Sequence, residues 1–199
     1  MNVVNDVIAW LTDPAQWSGT GGIPARTLQH LGYSLVATAI AAAIALPIGI
    51  FIGHTGRGAL TALAIPPMVT NSYIGVRSVD RDVREAAEGM GMRGRQVLWQ
   101  VELPVAMPLI MAGVRTSTVQ VVATATLAAF VGLGGLGRYL IDGLAQRDLP
   151  QVVGGAILVA LLSLATELML GRVQSLVVSD GLAGRGADAA VRAKVEKAA

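Results

Sequence analysis

Long apolar runs alternate with short polar segments along the chain. Three runs hold about twenty residues or more and almost no charge: residues 31–53, 105–131 and 152–171. A helix needs about 20 apolar residues to cross a bilayer core about 30 Å thick. The pattern therefore predicts an all-α, polytopic membrane helix bundle with three clear spans.

A fourth apolar piece, residues 59–76, contains Pro66, Pro67, Asn71 and Ser72, and its length and polarity make it borderline as a span. It also lies between basic segments that should face the same side of the membrane. Because one crossing cannot join two segments on the same side, we expect either a partial or re-entrant segment here or a missing span.

Most Lys and Arg residues lie in three places: the single residue Arg57, residues 77–95 and residues 172–197. The positive-inside rule assigns these places to the cytoplasm. We therefore expect an N-terminal extracytoplasmic segment over residues 1–30 and a transmembrane domain over residues 31–181. That domain includes a cytoplasmic loop at about residues 77–104, and residues 182–199 are expected to form a mobile cytoplasmic tail.

Composition supports a membrane protein and excludes several kinds of chemistry. Hydrophobic residues make up 53% of the chain and charged residues 14%, whereas a soluble domain carries about 25% charged residues. Cys is absent, which excludes disulfides, thiolate metal sites and cysteine nucleophiles. The net charge is only +2, and the basic residues are spread over several short segments rather than one long run, so we expect no nucleic-acid partner.

No phosphate loop, catalytic triad or carboxylate pair is found in the sequence. The two histidines, His30 and His54, stand isolated at span ends. We therefore expect no catalytic site, no metal and no cofactor. The string GLGGLG, residues 132–137, fits a dinucleotide fingerprint in letters only, because it follows a membrane span rather than a strand. It is better explained as a glycine turn before a short re-entrant helix near residues 139–144.

A polar island, EAAEGMGMRGRQVLWQVELP, occupies residues 85–104 between two apolar pieces. Asp80 can cap a helix whose beginning carries Asp82 and Glu85, an acidic bias that the helix dipole favours. Gly89 and Gly91 should end this helix. A second short helix is expected around residues 96–101, after which the chain re-enters the membrane.

The spacing inside this island is EAA, three residues, G, nine residues, a β-branched residue, one residue, LP. It resembles the EAA loop of ABC-importer permeases, with Val where Ile is common. The resemblance implies that this loop forms a coupling helix on the cytoplasmic ATP-binding subunit. The residues to which it gives this role are Glu85, Ala86, Ala87, Gly91, Val101, Leu103 and Pro104.

The segments IPPMVTNSYIGVRSVD and LAAFVGLGGLGRYLIDGL resemble osmoprotectant permeases that handle glycine betaine, choline or carnitine. The resemblance implies a multi-pass permease subunit in the plasma (inner) membrane of a prokaryote, in contact with lipid. Its implied partners are an ATP-binding subunit, a second permease subunit in a homo- or heterodimer, and an extracytoplasmic substrate-binding protein. Aromatic residues are only 4% of the chain, and cages for quaternary ammonium groups need several of them. High-affinity capture is therefore expected on the binding protein.

One departure from the family concerns the sequence near Leu60. Similar permeases have a further span and an outer loop after the turn that resembles HTGRGA, whereas here Leu60 runs directly into Thr61. Some 40 residues, or about one to two membrane segments, are expected to be absent. Two alternatives to an osmoprotectant permease therefore stay open. The chain could be a permease for another small solute such as an amino acid, or a truncated, non-transporting membrane remnant.

Two ionisable residues, Arg115 and Glu167, lie inside apolar spans. Charged groups in a membrane are costly and usually face a cavity or a partner. They are candidates for the transport pathway. The alternatives are that Arg115 extends to the cytoplasmic face and that Glu167 makes a packing or dimer contact.

Overall fold

A computed structural model describes residues 3–55 and 67–177, and this part of the chain contains helices and no strand. The α-helices are α1 (Val3–Thr12), α2 (Ile23–Thr55), α3 (Pro67–Arg77), α4 (Arg81–Gly89), α5 (Gly94–Val97), α6 (Leu103–Thr124), α7 (Gly137–Gln146) and α8 (Leu149–Val177). A π-helical turn (Leu98–Glu102) joins α5 to α6, and 3₁₀ turns cover Pro14–Trp17 and Ala125–Val131. The expected all-α class is confirmed.

Three helical stretches are long and apolar enough to cross a membrane: Ile23–Thr55, Gly94–Val131 and Leu149–Val177. The three expected spans are therefore confirmed, although each helix continues beyond its apolar run. At 1.5 Å per residue, the 33 residues of α2 extend for about 50 Å, so its ends exceed the lipid core. Leu35, Val36, Ile40 and Ile44 are exposed on α2, which is favourable where lipid is the solvent.

The fourth apolar piece is only partly described. Its described part lies in α3, whose 11 residues measure about 16 Å, roughly half of a bilayer core. This part agrees with the expected partial segment. Residues 59–66 lie outside the described residues, as does the expected tail over residues 182–199.

Helix α3 packs closely against α2 and α6. On α2, Gly49 and Gly53 have the spacing of the G-x-x-x-G motif, which lets membrane helices approach closely. A Cβ at Gly49 would lie 2.7 Å from the Cβ of Ser72, and one at Gly53 would lie 2.8 Å from the Cβ of Val76. On α6, a Cβ at Gly113 would lie 2.8 Å from the Cβ of Asn71. Small residues on both neighbours thus make room for α3.

The chain divides into two compact units. Among the described residues, the first unit comprises residues 3–41 and 118–168, and the second comprises residues 42–55, 67–117 and 169–177. The core of the first unit contains Ile23, Leu136 and Tyr139. The core of the second unit is formed where α3 meets α2 and α6, with buried residues Ala45, Met68, Val69, Val76, Ala106 and Ile110.

In the first unit, Tyr139 ties α7 to the chain before α2. Its ring packs edge-on against Trp10 at 5.1 Å, and its hydroxyl donates to the carbonyl of Gly21 at 2.8 Å. The Arg26 guanidinium lies 4.9 Å from the ring centroid. Burial raises the pKa of Tyr139, and Arg26 opposes this by a smaller amount. The hydroxyl therefore keeps the proton that it donates.

The string GLGGLG forms a turn that ends in α7, as expected. Gly132 and Gly135 have φ angles of +82° and +86°, a region that residues with a Cβ rarely adopt. The helix then begins at Gly137. Since the described residues contain no strand ahead of this turn, the dinucleotide-binding interpretation has no structural support.

The chain enters the second span differently from the expectation. A separate short helix over residues 96–101 was expected, but α5, the π-helical turn and α6 form one continuous helical stretch. The cause is Pro104, which has no N–H to donate to the carbonyl four residues earlier. The backbone widens instead, and the N–H of Leu103 bonds to the carbonyl of Leu98, five residues back.

Candidate functional site

The EAA segment begins in α4, which is capped at both ends. Asp80 is the N-cap, and its side chain accepts a hydrogen bond from the N–H of Asp82 at 3.0 Å, as the sequence predicts. At the other end Gly91 has a φ of +86°, and the N–H of Met92 bonds back to the carbonyl of Ala87 at 3.2 Å. Gly91 thus provides the left-handed turn that ends the helix.

Helix α4 presents part of its apolar surface outwards. Ala87 is buried, whereas Ala86 is exposed, and Val83 and Met90 are 48% and 77% exposed. Residues 83, 86 and 90 recur at helical spacing and therefore share one face. The Glu85 side chain is also exposed and pairs with Arg81 at 2.6 Å. Together these residues form a small amphipathic surface that residues 3–55 and 67–177 leave exposed.

The remaining residues of the EAA pattern lie at the entry to α6. Val101 is half-buried in the π-helical turn, Leu103 is half-buried and begins α6, and Pro104 is exposed. They are separated from α4 by Gly91 and α5. The structure therefore divides the expected site into an outward-facing helix and a helical junction.

A buried carboxylate joins these two parts of the site. The Glu102 side chain, between Val101 and Leu103, has no solvent exposure. Its Oε2 lies 2.7 Å from Nδ1 of His54, and its Oε1 lies 2.7 Å from Nε of Arg84. The contact with Arg84 is an ion pair without hydrogen-bond geometry. We call Glu102, His54 and Arg84 the Glu102 cluster.

The partners of Glu102 come from different helices. His54 is next to the last residue of α2, and an ionised carboxylate only accepts hydrogen bonds, so Nδ1 of His54 is the donor. Arg84 belongs to α4, and its Nη2 donates to the carbonyl of Val76 in α3 at 3.4 Å. One side chain thus connects α2 to the EAA helix.

Sequence reasoning missed this cluster. His54 was expected to be isolated at a span end, which is wrong, because it contacts a carboxylate 48 residues away. The EAA pattern leaves the position of Glu102 open, so the motif gave no reason to select it. The available signal was an acidic residue placed directly against an apolar span, since such a charge needs a partner when it is buried.

Arg115 and Glu167 occupy α6 and α8 and are both half-buried. The Arg115 guanidinium packs against Gly171, with its Cζ 3.4 Å from where a Cβ of that glycine would be. The pathway role expected for Arg115 and Glu167 therefore stays a prediction.

A second polar feature lies on α2. His30, Ser34 and Thr38 follow one another at four-residue spacing and are all buried. Nε2 of His30 lies 2.8 Å from the carbonyl of Val122. Because a carbonyl only accepts, this nitrogen carries the proton. The contact fixes α2 against α6 within the first unit.

Comparison with known proteins places this geometry in a family. Residues 52–178 match the family of binding-protein-dependent transport system inner membrane components. The chain is 31% identical to the glycine betaine/carnitine/choline transport system permease protein OpuCB of Bacillus subtilis, over 80% of this chain and 90% of that protein. It is 35% identical to the carnitine transport permease protein OpuCB of Listeria monocytogenes, over 75% and 85% of the two chains. The choline transport system permease protein OpuBB of B. subtilis is 29% identical, over 79% and 89%.

These matches also show that the chain is short. The stretches shared with the three relatives are 195, 185 and 193 residues long, but cover only 80%, 75% and 79% of these 199 residues. In each case about 36 aligned positions of the relative have no counterpart here. This number agrees with the expected absence of some 40 residues, about one to two membrane segments.

The family match covers more than half of the chain and includes the EAA segment, the Glu102 cluster and two of the three spans. The relatives are transport permeases, and the three apolar helices identify a multi-pass membrane protein. The chain is therefore a membrane permease and not an enzyme, and it belongs to the family of binding-protein-dependent transport system inner membrane components.

Proposed function

We propose that this chain is the permease subunit of an ABC importer for a quaternary ammonium osmoprotectant: glycine betaine, carnitine or choline. ATP is hydrolysed on a partner subunit, and α4 couples that hydrolysis to translocation. The solutes in the relatives' names support the choice of solute. The observation that carries the coupling role is the amphipathic surface of α4 that the described part of the chain leaves exposed.

The chemistry of this surface fits a cleft on a soluble ATP-binding subunit. Val83, Ala86 and Met90 offer apolar contact on one helical face, which is how short amphipathic helices bind in grooves. The small Ala86 side chain permits close approach, and Glu85 adds a charge for the partner. The capped ends of α4 hold the helix in its bound shape before docking, which lowers the cost of binding.

The other partners follow from the same role. A second permease subunit, identical or similar, would complete the transport pathway, in which Arg115 and Glu167 are candidate residues. A separate substrate-binding protein would capture the solute, because this chain has only 3 Trp, 3 Tyr and 2 Phe with which to enclose a quaternary ammonium group.

The test is reconstitution in lipid vesicles with the ATP-binding subunit, the second permease and the binding protein. ATP hydrolysis and uptake of radiolabelled glycine betaine, carnitine and choline are measured together. Stimulated hydrolysis with uptake of at least one of these solutes is expected. Uptake of an amino acid such as methionine, with none of the three, would contradict the solute.

Two substitutions test the coupling residues. Glu85→Lys reverses the exposed charge, and Gly91→Val places a β-branched residue at a φ of +86°, a strained conformation that costs about 1–3 kcal/mol. Both should weaken binding of the ATP-binding subunit and lower uptake. Asp142→Lys is the matched control, because Asp142 also pairs with an Arg four residues away, Arg138 in α7. The coupling role is wrong if Glu85→Lys and Gly91→Val both transport normally.

A second candidate function is a remnant that binds the ATP-binding subunit without transporting. The observation in its favour is the absence of about 36 positions that the relatives possess. Co-purification with the ATP-binding subunit, together with no uptake of any tested solute, would select this alternative. Insertion of the relatives' missing segment near Leu60 should then restore uptake.

A further inference from the structure

Four helical elements meet at the Glu102 cluster. His54 is the last residue but one of α2, Arg84 lies in the middle of α4, and Glu102 directly precedes α6. Arg84 also reaches the carbonyl of Val76 near the end of α3. The helix that would dock on the ATP-binding subunit is therefore joined by side chains to the end of α3, which precedes it in the chain, and to the end of α2, which is distant in sequence.

The physical character of the contact makes it stiff. The Glu102 carboxylate is fully buried, so it cannot exchange a protein partner for water. Removal of one partner of a buried ion pair leaves an uncompensated charge, which is strongly unfavourable. By contrast, the Arg81–Glu85 pair is exposed and lies within α4, where ion pairs contribute little. Arg84 thus carries the ion pair that restrains α4 against its neighbours.

We propose that the Glu102 cluster is the joint through which movement of α4 reaches α2, and that Glu102 is a positioning residue for transport. This inference rests on the proposed coupling role of α4. Because α6 begins at the residue after Glu102, the backbone already links α6 to the cluster. Among the described residues, helix α2 has no such short backbone link to α4. The His54–Glu102–Arg84 contacts join the two helices directly, whereas the packing of α2 against α3 joins them only through a third helix.

The absence of Cys makes the joint directly measurable. Spin labels can be attached at Thr55→Cys on α2 and Glu88→Cys on α4, two exposed positions on either side of the cluster. Electron–electron double resonance on the complete complex then gives the distance between the helices, without nucleotide and with trapped ATP. One narrow distribution that is the same in both states is expected, because α2 and α4 move together.

Glu102→Gln is the principal variant, because it removes the charge and keeps the size. The distance distribution should broaden, and uptake per ATP hydrolysed should fall by about 5- to 150-fold, the usual range of coupling between two sites. The double variant Arg84→Gln with Glu102→Gln removes both charges and is expected to recover stability. It should not recover uptake per ATP, since the ionic joint is still absent.

Each outcome decides the inference. An unchanged distance distribution with unchanged uptake per ATP in Glu102→Gln overturns it, and so does a double variant that transports at the original ratio. Asp142→Asn, which breaks the more exposed Arg138–Asp142 pair at 2.9 Å, is the control and should change neither readout. If the original chain binds no ATP-binding subunit, the proposed function fails as well. If the original chain binds the ATP-binding subunit and transports, and the Glu102→Gln variant matches it in both readouts, the proposed function stands and this inference alone fails.

Discussion

The close packing of α3 against α2 gives a prediction whose size can be worked out from three glycines in one helix. Gly49 and Gly53 lie under α3, whereas a Cβ at Gly32 would meet nothing within 4 Å. At Gly49 the new Cβ would lie 2.7 Å from the Cβ of Ser72 and 2.8 Å from the carbonyl oxygen of Val69. Non-bonded carbon atoms prefer about 3.5–4.0 Å, so Gly49→Ala must push the helices apart.

The comparison among the three alanine variants isolates this cost. Replacement of Gly by Ala favours a helix by about 1 kcal/mol wherever it occurs in the helix interior, so that gain cancels between Gly32→Ala and the other two. Overpacking costs about 1–3 kcal/mol. For a chain of this size each kcal/mol shifts the melting temperature by about 2–4 °C. Gly49→Ala and Gly53→Ala should therefore melt roughly 2–12 °C below Gly32→Ala.

The assay is thermal unfolding of the purified variants in one detergent, followed by the fraction that remains monodisperse on size-exclusion chromatography. A larger side chain, Gly49→Leu, should lower the melting temperature further. If Gly49→Ala and Gly53→Ala melt together with Gly32→Ala, then α3 does not rest on the G-x-x-x-G face of α2. The explanation that Gly49 and Gly53 allow α3 to pack against α2 would then be wrong.

Three further predictions concern single contacts. His30→Ala removes the hydrogen bond to Val122 and should cost about 1–3 kcal/mol of stability in thermal unfolding, while His30→Gln, which can still donate, should lose less. Burial raises the pKa of Tyr139, so its contribution to stability is complete below pH about 10 and is lost as pH rises through the folded-state pKa. Tyr139→Phe should therefore lose less stability than the original chain between pH 9 and pH 11 (about one unit either side of that value), although it lacks the hydrogen bond to Gly21 at every pH. Asp80→Ala removes the N-cap of α4, worth about 0.5–2 kcal/mol, and should weaken binding to the ATP-binding subunit by about 2- to 30-fold, whereas Asp80→Asn should not.

What the sequence predicts correctly here is set by local rules. The three spans follow from hydrophobic length alone, and the beginning of α4 at Asp80 follows from the preference for a short polar side chain at the N-cap. The end of α4 near Gly91 follows in the same way from the left-handed turn. Each of these features depends on a few neighbouring residues, which a single sequence displays.

What the sequence does not predict depends on contacts that are distant along the chain. His54 and Glu102 are 48 residues apart, and no local pattern distinguishes a histidine at a span end from one that contacts a buried carboxylate. The junction into α6 was missed for a different reason. Pro104 was treated as the end of a loop, but a π-helical turn lets the helix continue through it. Both errors lie at the site, where local preferences give way to packing between helices.

The contacts around α3 and Glu102 also bear on whether a shortened permease can still bind its ATP-binding subunit. Every element that the coupling proposal needs belongs to the second unit: α4, the Glu102 cluster, α3 and the part of α2 from Ala42 to Thr55. There α3 is fixed by Gly49, Gly53 and Gly113, although about 36 positions of the relatives are missing. Docking on the ATP-binding subunit and completion of a transport pathway are therefore separable properties. Binding of that subunit should be close to that of a full-length relative even where uptake is lost, and loss of both together would mean that the missing positions support α4 itself.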